Sequence, residues 1–163
     1  MTYLITFTCY GCHLHGCESG SVDREHNAPS TPLLAADPTR VAAEATRMDQ
    51  PPYILDHARR EAVLQTIHEV CAYRDWSLLA SHVRSSHVHV VVSADAPPET
   101  IMGQFKAHAS RRLNLMAIDR AERKRWTRHG STRWLKQPRH ISAAVHYVVH
   151  EQGEAMSVFE STE

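Results

Sequence analysis

HVHVVVS, at residues 87–93, is the stretch that decides the fold we predict for this chain. Its valines indicate a β-strand that is central in its sheet, because β-branched residues favour a pleated, packed surface. Successive side chains of a strand point to opposite faces, so His87 and His89 share one face while the alternate valines share the other. We therefore predict a buried strand that carries two imidazoles on one side of a sheet.

The segments around this strand alternate between strand and helix patterns. We predict strands at Tyr3–Cys9, Trp76–Val83, His87–Ser93 and Ser131–Leu135, and helices at Thr39–Met48, from the N-cap Asp56, from Pro97 and at His140–Gln152. The expected buried positions of the second and third helices are Val63, Ile67, Val70, Cys71, Ile101, Met102, Phe105, Ala109 and Leu113. This order predicts an α+β domain in which helices cover one face of an antiparallel sheet.

Length and composition favour one compact unit. Residues 1–163, of which 42% are apolar, are predicted to form a single domain. The stretch at about residues 18–55 is predicted to be a loop-rich insertion, since long irregular segments are unusual in small domains. No apolar run is long enough to span a membrane, and the first residues lack the basic lead of a signal peptide. We therefore expect a cytoplasmic protein with reduced cysteines.

The formal net charge of zero hides an uneven distribution. Between residues 104 and 139 there are eleven cationic side chains and two acidic ones, and Trp126 and Trp134 are interleaved with them. Such a pattern indicates a surface that neutralises phosphates and stacks on unpaired bases. The alternative interpretation is a solvated, charged helix and loop.

Two groups of residues are candidates for chemistry. Neutral imidazoles at His87 and His89 are a ready pair of ligands for a divalent metal, although two of thirteen histidines could also lie two apart by chance. On the last predicted helix, Tyr147 and Glu151 are four residues apart and share a face. The carboxylate could complete the shell of such a metal with the phenol beside it. The alternative is that Tyr147 is a core residue.

A cysteine and histidine cluster lies near the N-terminus. Cys9 and Cys12, followed by His13, match the spacing of a haem-attachment motif, and His15 and Cys17 extend the cluster toward a zinc site. Haem attachment requires export, and no second paired knuckle follows. Reduced cysteines in a strand and loop are therefore the preferred interpretation.

The ordered set of motifs resembles a known family. The matching stretches are Phe7–Gly11, Val83–Val92, Phe105–Ala107 with Arg112-Leu113, Trp126–Arg133, and Ala144–Val148 with Gln152–Glu154. Two histidines around a hydrophobic residue on a central strand, followed by a helix with one tyrosine, resemble the HUH single-strand transposases. Among these, the chain is similar to the REP-associated tyrosine transposases and their relatives.

The resemblance implies a fold, a cofactor and a mechanism. It implies a ferredoxin-like sandwich in which His87 and His89 hold Mg²⁺ or Mn²⁺. It also implies that Tyr147 attacks single-stranded DNA to leave a 5′-phosphotyrosine link and a free 3′-OH. The family usually supplies a third metal ligand four residues after the tyrosine, which is Glu151 here, with Gln152 next to it. Of these two we favour Glu151, because a carboxylate binds such metals well.

The same resemblance implies single-stranded or hairpin DNA as the partner. The side chains expected to contact it are Lys106, Arg111, Arg112, Arg125, Trp126, Arg128 and Arg133. A single tyrosine forms one covalent link at a time, so a two-ended reaction needs a homodimer or successive steps. Two alternatives remain open at this point. One is a domesticated hairpin-binding protein that does not cut, and the other is an unrelated metalloenzyme that uses His87, His89 and Glu151.

Overall fold

The computed structural model describes residues 1–12 and 37–162. Its elements, in chain order, are β1 (Thr2–Cys9), α1 (Pro38–Thr46), α2 (His57–Arg74), β2 (Ser77–Val83), β3 (His87–Ser93), α3 (Pro98–Leu115), β4 (Trp126–Trp134), α4 (Pro138–His150) and β5 (Ser157–Glu160). Asp56 caps α2 as predicted and accepts a hydrogen bond from the backbone N–H of Arg59 at 2.9 Å. None of the described helices is both long and apolar enough to cross a membrane.

The five strands form one antiparallel sheet in the order β4-β1-β3-β2-β5. The run from β1 to β4 with α2 and α3 is a βαββαβ unit, and its strand order is that of a ferredoxin-like fold. The predicted α+β class and antiparallel sheet are confirmed. Strand β3 lies at the centre, so residues 87–93 are paired on both sides.

The larger core lies on one face of the sheet, which we call the α2/α3 face. Alternate residues of β1 and β3, such as Phe7 and Val90, pack there against α2 and α3. The helix positions predicted to be buried all lie in this core: Val63, Ile67, Val70, Cys71, Ile101, Met102, Phe105, Ala109 and Leu113. Periodicity predicted them because one stripe of each helix is apolar.

The position of the last helix differs from the prediction that helices cover one face. Helix α4 packs on the opposite side of the sheet, which we call the α4 face, against β2 and β3. Ala144 and Val148 of α4 form a second, smaller cluster there with Ala80, Val91 and other residues. Val91 is as apolar as its neighbours, so it needs an apolar partner on its own face, and α4 provides that partner.

Both edges of the sheet differ from the sequence-based prediction. Strand β4 begins at Trp126 and not near Ser131, so part of the predicted basic loop is an edge strand. Its polar sequence hides it, because an edge strand is stabilised by backbone pairing with one neighbour and need not alternate apolar residues. The short strand β5 was not predicted; it pairs with β2 at the other edge.

The predicted insertion lies partly outside the described residues. Its described end contains α1 and then joins the domain, because Tyr53 and Leu55 are buried and their backbone N–H groups donate to Tyr10 and Ser85. Of the cysteine cluster, His13, His15 and Cys17 lie outside the described residues. Cys9 is buried, which raises the pKa of its thiol, so this side chain is a protonated, packed thiol.

Candidate active site

The two histidines of β3 lie side by side on the α4 face. Their ring centroids are 4.8 Å apart. His89 is 5% exposed, and its Nδ1 is 2.8 Å from the Thr6 hydroxyl on β1. Its Nε2 is buried and makes no hydrogen bond of normal geometry among the described residues, although the Gln152 side chain lies close to the ring. The Ser86 hydroxyl lies 3.0 Å from Nδ1 of His87. Hydroxyl groups on the strand and turn therefore orient both rings.

His89 is held in its neutral form. Burial, together with the adjacent His87, lowers the pKa of its imidazole to about 3, and the Gln152 side chain opposes part of this shift. A neutral imidazole whose Nδ1 is bonded to a hydroxyl can present the lone pair of Nε2 to a cation. The buried Nε2 is therefore the atom with which His89 could bind a metal.

Tyr147 projects from α4 toward this pair. Its ring centroid is 5.7 Å from that of His89, and the residue is 40% exposed. Its neighbour Val148 is fully buried, so the helix turns its valine into the small core and leaves the phenol at the rim. Tyr147 thus lies beside the histidines and within reach of solvent, which does not fit the alternative that it is a core residue.

The contacts of the residues after Tyr147 distinguish between the two candidate third ligands. Helix α4 ends at His150, and the Glu151 carboxylate pairs with exposed His146 at 2.9 Å. Gln152 is half-buried; its side chain donates to the Tyr147 carbonyl at 3.2 Å and interacts with His89. The structure therefore does not support our preference for Glu151, because the helix ends before this position and its side chain turns to His146.

The donor set suits a hard or borderline divalent cation. No group of three histidine, cysteine or acidic side chains that could hold a metal occurs in the part of the chain that the structure describes. His87 and His89 are adjacent, and the Gln152 side chain interacts with His89. Two imidazoles and a side-chain amide beside Tyr147 would leave coordination positions on such a cation for water or phosphate oxygens. The residues present therefore fit a bound Mg²⁺ or Mn²⁺.

Comparison with known proteins identifies the family. The sequence profile of the family described as "Transposase IS200 like" matches residues 50–149, a span that includes His87, His89 and Tyr147. This chain belongs to the IS200-like transposase family. Gln152 lies just beyond the matched span. No curated protein matches this chain.

Two solved structures resemble this chain. One is a REP-associated tyrosine transposase bound to a REP hairpin, with a TM-score of 0.51 and 10% sequence identity over 92% of this chain. The present chain covers 65% of the length of that protein. The other is a candidate transposase from Deinococcus radiodurans, with a TM-score of 0.47 and 12% identity over 95% of this chain and 92% of that one. At this identity, the first match supports the fold.

Four of the seven predicted DNA contacts have structural roles in this chain. Lys106 donates to the carbonyls of Thr127 and His129 on β4, and burial lowers its pKa to about 8. The Trp126 indole packs against Phe7 with ring centroids 5.1 Å apart and donates to the Lys106 carbonyl. These contacts attach β4 to α3 and β1.

The two arginines Arg112 and Arg125 are also committed to the protein. Arg112 forms an ion pair with Glu69 on α2. Arg125 is 4% exposed and lies against Asp119 and the Tyr53 ring. The charge of Arg112 is offset by Glu69, which lies far away in the sequence, and that of Arg125 by Asp119 of the same basic stretch. The three other predicted contacts, Arg111, Arg128 and Arg133, are exposed.

Two residues that shape the site were not among the sequence-based predictions. Thr6 on β1 bonds to His89, and its signal was the alternation of threonine with apolar residues along β1. His82 on β2 pairs directly across from His89 and is fully buried. A lone histidine at a predicted inward-facing strand position was the only sequence signal for it.

Proposed function

We propose that this IS200-like transposase cuts and rejoins single-stranded DNA with Tyr147 as the nucleophile. The observation that carries the proposal is the position of an exposed phenol beside two adjacent imidazoles from a different part of the chain. This combination is rare in a packed core, where a tyrosine hydroxyl would have an internal partner.

The reaction balances as a phosphoryl transfer. The Tyr147 oxygen loses its proton to solvent and forms a bond to the scissile phosphorus, and the bond from phosphorus to the 3′ oxygen breaks. The departing 3′ oxygen takes up a proton, which leaves a 5′-phosphotyrosine link and a free 3′-OH. A 3′-OH from another DNA end reverses the step and joins strands, because the covalent link conserves the energy of the phosphodiester.

Mg²⁺ or Mn²⁺ would be held by His87, His89 and Gln152. When bound, the cation supplies Lewis-acid polarisation of the phosphate. The protein contributes the orientation of both rings by Thr6 and Ser86. We propose Gln152 in place of Glu151 because its side chain reaches His89 and Tyr147, whereas that of Glu151 is paired with His146.

The DNA is proposed to lie along the edge of the α4 face formed by β4. Arg133 pairs in register with Leu4, a residue of the small α4 cluster, so it shares the face of Thr6 and His89. Arg133 is exposed, so its guanidinium can neutralise a backbone phosphate on this face. Trp134 pairs in register with Tyr3 of the larger core, so it lies on the opposite face and is not part of this proposed surface.

The test is formation of a covalent adduct. The protein is incubated with a single-stranded hairpin DNA and Mn²⁺, and a denaturing gel is run. The wild type is expected to give a protein–DNA adduct, and Tyr147→Phe is expected to give none because the attacking oxygen is absent. His87→Ala should reduce the adduct strongly.

Tyr73 provides the matched control. It is 80% exposed on α2, on the other side of the sheet, so Tyr73→Phe should leave the adduct unchanged. Adduct of equal yield from Tyr147→Phe would eliminate the proposed nucleophile. Hairpin binding by the wild type without any adduct would instead favour the non-cutting alternative.

A further inference from the structure

His82 makes two backbone hydrogen bonds from inside the protein. Its Nε2 accepts from the Met156 backbone N–H at 3.0 Å. A backbone amide can only donate, so Nε2 carries no proton and the neutral ring holds its proton on Nδ1. That N–H donates to the Val148 carbonyl, also at 3.0 Å. Burial lowers the pKa of the ring, in agreement with the neutral form.

The Val148 carbonyl belongs to the last turn of α4. Carbonyls there lack partners within the helix and need them from elsewhere. The preceding carbonyl, that of Tyr147, accepts from the Glu151 backbone N–H and the Gln152 side chain. The bond from His82 therefore ties the turn that carries Tyr147 to the sheet.

The segment after α4 is tied to the same strand end. Arg84, just after β2, donates to the Glu154 carbonyl at 2.8 Å and lies 3.4 Å from Nε2 of His82. The Met156 bond adds a second attachment two residues further on. Gln152 lies within this held segment, so both of its ends are fixed relative to β2.

We infer that His82 is a positioning residue whose Nδ1–H bond to the Val148 carbonyl fixes Tyr147 over His89. The consequence for catalysis rests on the proposed function, whereas the consequence for the position of α4 does not. His82 lies directly across from His89 on the neighbouring strand, so one cross-strand pair joins the helix anchor to the proposed ligand.

Two substitutions separate the effects of the two hydrogen bonds that the His82 ring makes. In His82→Asn, the side-chain amide can replace the Nδ1 donor to Val148 but not the Nε2 acceptor. In His82→Gln, the longer side chain can replace the Nε2 acceptor but not the Nδ1 donor. At saturating hairpin DNA, His82→Gln is expected to form the adduct about 10- to 100-fold more slowly, because small misplacement of a reacting group has effects of this size. His82→Asn should stay close to the wild type, and hairpin affinity should be unchanged in both.

Hydrogen exchange separates this inference from the proposed function. Amides of residues 147–152 should exchange faster in His82→Gln than in His82→Asn, with no DNA or metal present. If the wild type forms no adduct, the proposed function fails, but faster exchange would still support the anchor. Thermal unfolding of each variant gives its folded fraction, and the rates are compared per folded molecule.

Ser81→Ala is the matched control. Ser81 is fully buried next to His82, and its hydroxyl has no hydrogen-bond partner among the described residues, so its loss should change neither exchange nor rate. An adduct rate or an exchange rate of folded His82→Gln equal to that of the wild type would overturn the inference. Equal losses in the two His82 variants would also overturn it, because they would assign the effect to the ring as a whole and not to the Val148 bond.

Discussion

The two faces of the sheet are built from the same strands but have different roles. On the α2/α3 face, alternate residues of the strands are apolar and are covered by two helices. On the α4 face, the intervening positions include Thr6, His82 and His89, and one helix covers them. The first face stabilises the fold by burying apolar surface, and the second gives up part of that stabilisation to hold polar groups in place.

The contrast explains how a buried imidazole can be tolerated. Burial holds His89 neutral and leaves its Nε2 without a hydrogen bond of normal geometry, an arrangement that costs stability. The larger core on the other side of the same strand can offset this cost. Sites with unsatisfied groups are expected where function requires them, and the three predictions below test this division between the faces.

The largest expected effect concerns stability on the two sides of β3. Val90 and Val91 are adjacent, identical in type and both fully buried, but they face the α2/α3 and α4 sides respectively. Replacement by alanine removes two methyl groups, worth about 1.6 kcal/mol of transfer free energy in each case. Val90→Ala should lower the free energy of unfolding by about 2–3 kcal/mol, because the two-helix core cannot collapse around the cavity. The loss for Val91→Ala should be smaller. Urea unfolding measures both, and equal losses would remove the proposed difference in packing.

The next effect concerns the hydroxyl that orients His89. Thr6→Val keeps the shape of the side chain but removes the bond to Nδ1. Because second-shell partners of metal-binding histidines typically contribute about tenfold or more to metal affinity, we expect a loss of at least that size. Mn²⁺ titration of the protein alone measures it. Thr132→Val is the control, since Thr132 bonds to Glu99 on the other side of the sheet; a similar loss there would contradict the assignment.

The smallest effect concerns the side on which DNA binds. Arg133 lies on the α4 face, whereas Arg111 is exposed beside Glu69 and Tyr73 in the groove between α2 and α3. Arg133→Ala should weaken hairpin binding a few-fold and reduce the salt slope by about 1, as expected for one lost phosphate contact. Arg111→Ala should change neither. Fluorescence anisotropy over a range of salt concentrations decides between them, and the opposite result would place the DNA on the helical side.

The basic stretch illustrates where sequence reasoning reached its limit. It predicted one continuous surface for nucleic acid, but Lys106, Arg112 and Arg125 are used within the protein. Their partners, such as Glu69 and Asp119, depend on how α2, α3 and the segment before β4 meet. Counting charges along the chain does not reveal such pairs. Of the seven predicted DNA contacts, Arg111, Arg128 and Arg133 are exposed.

Residue type and spacing alone determined the central strand, the shared face of His87 and His89, the α+β class and the buried stripes of α2 and α3. These follow from local periodicity, which is fixed by backbone geometry within a few residues. Only the tertiary structure decided that α4 covers the second face, that Gln152 and not Glu151 turns toward His89, and that His82 anchors the last turn of α4. Each of these depends on contacts between residues far apart in the chain, and no local pattern encodes them.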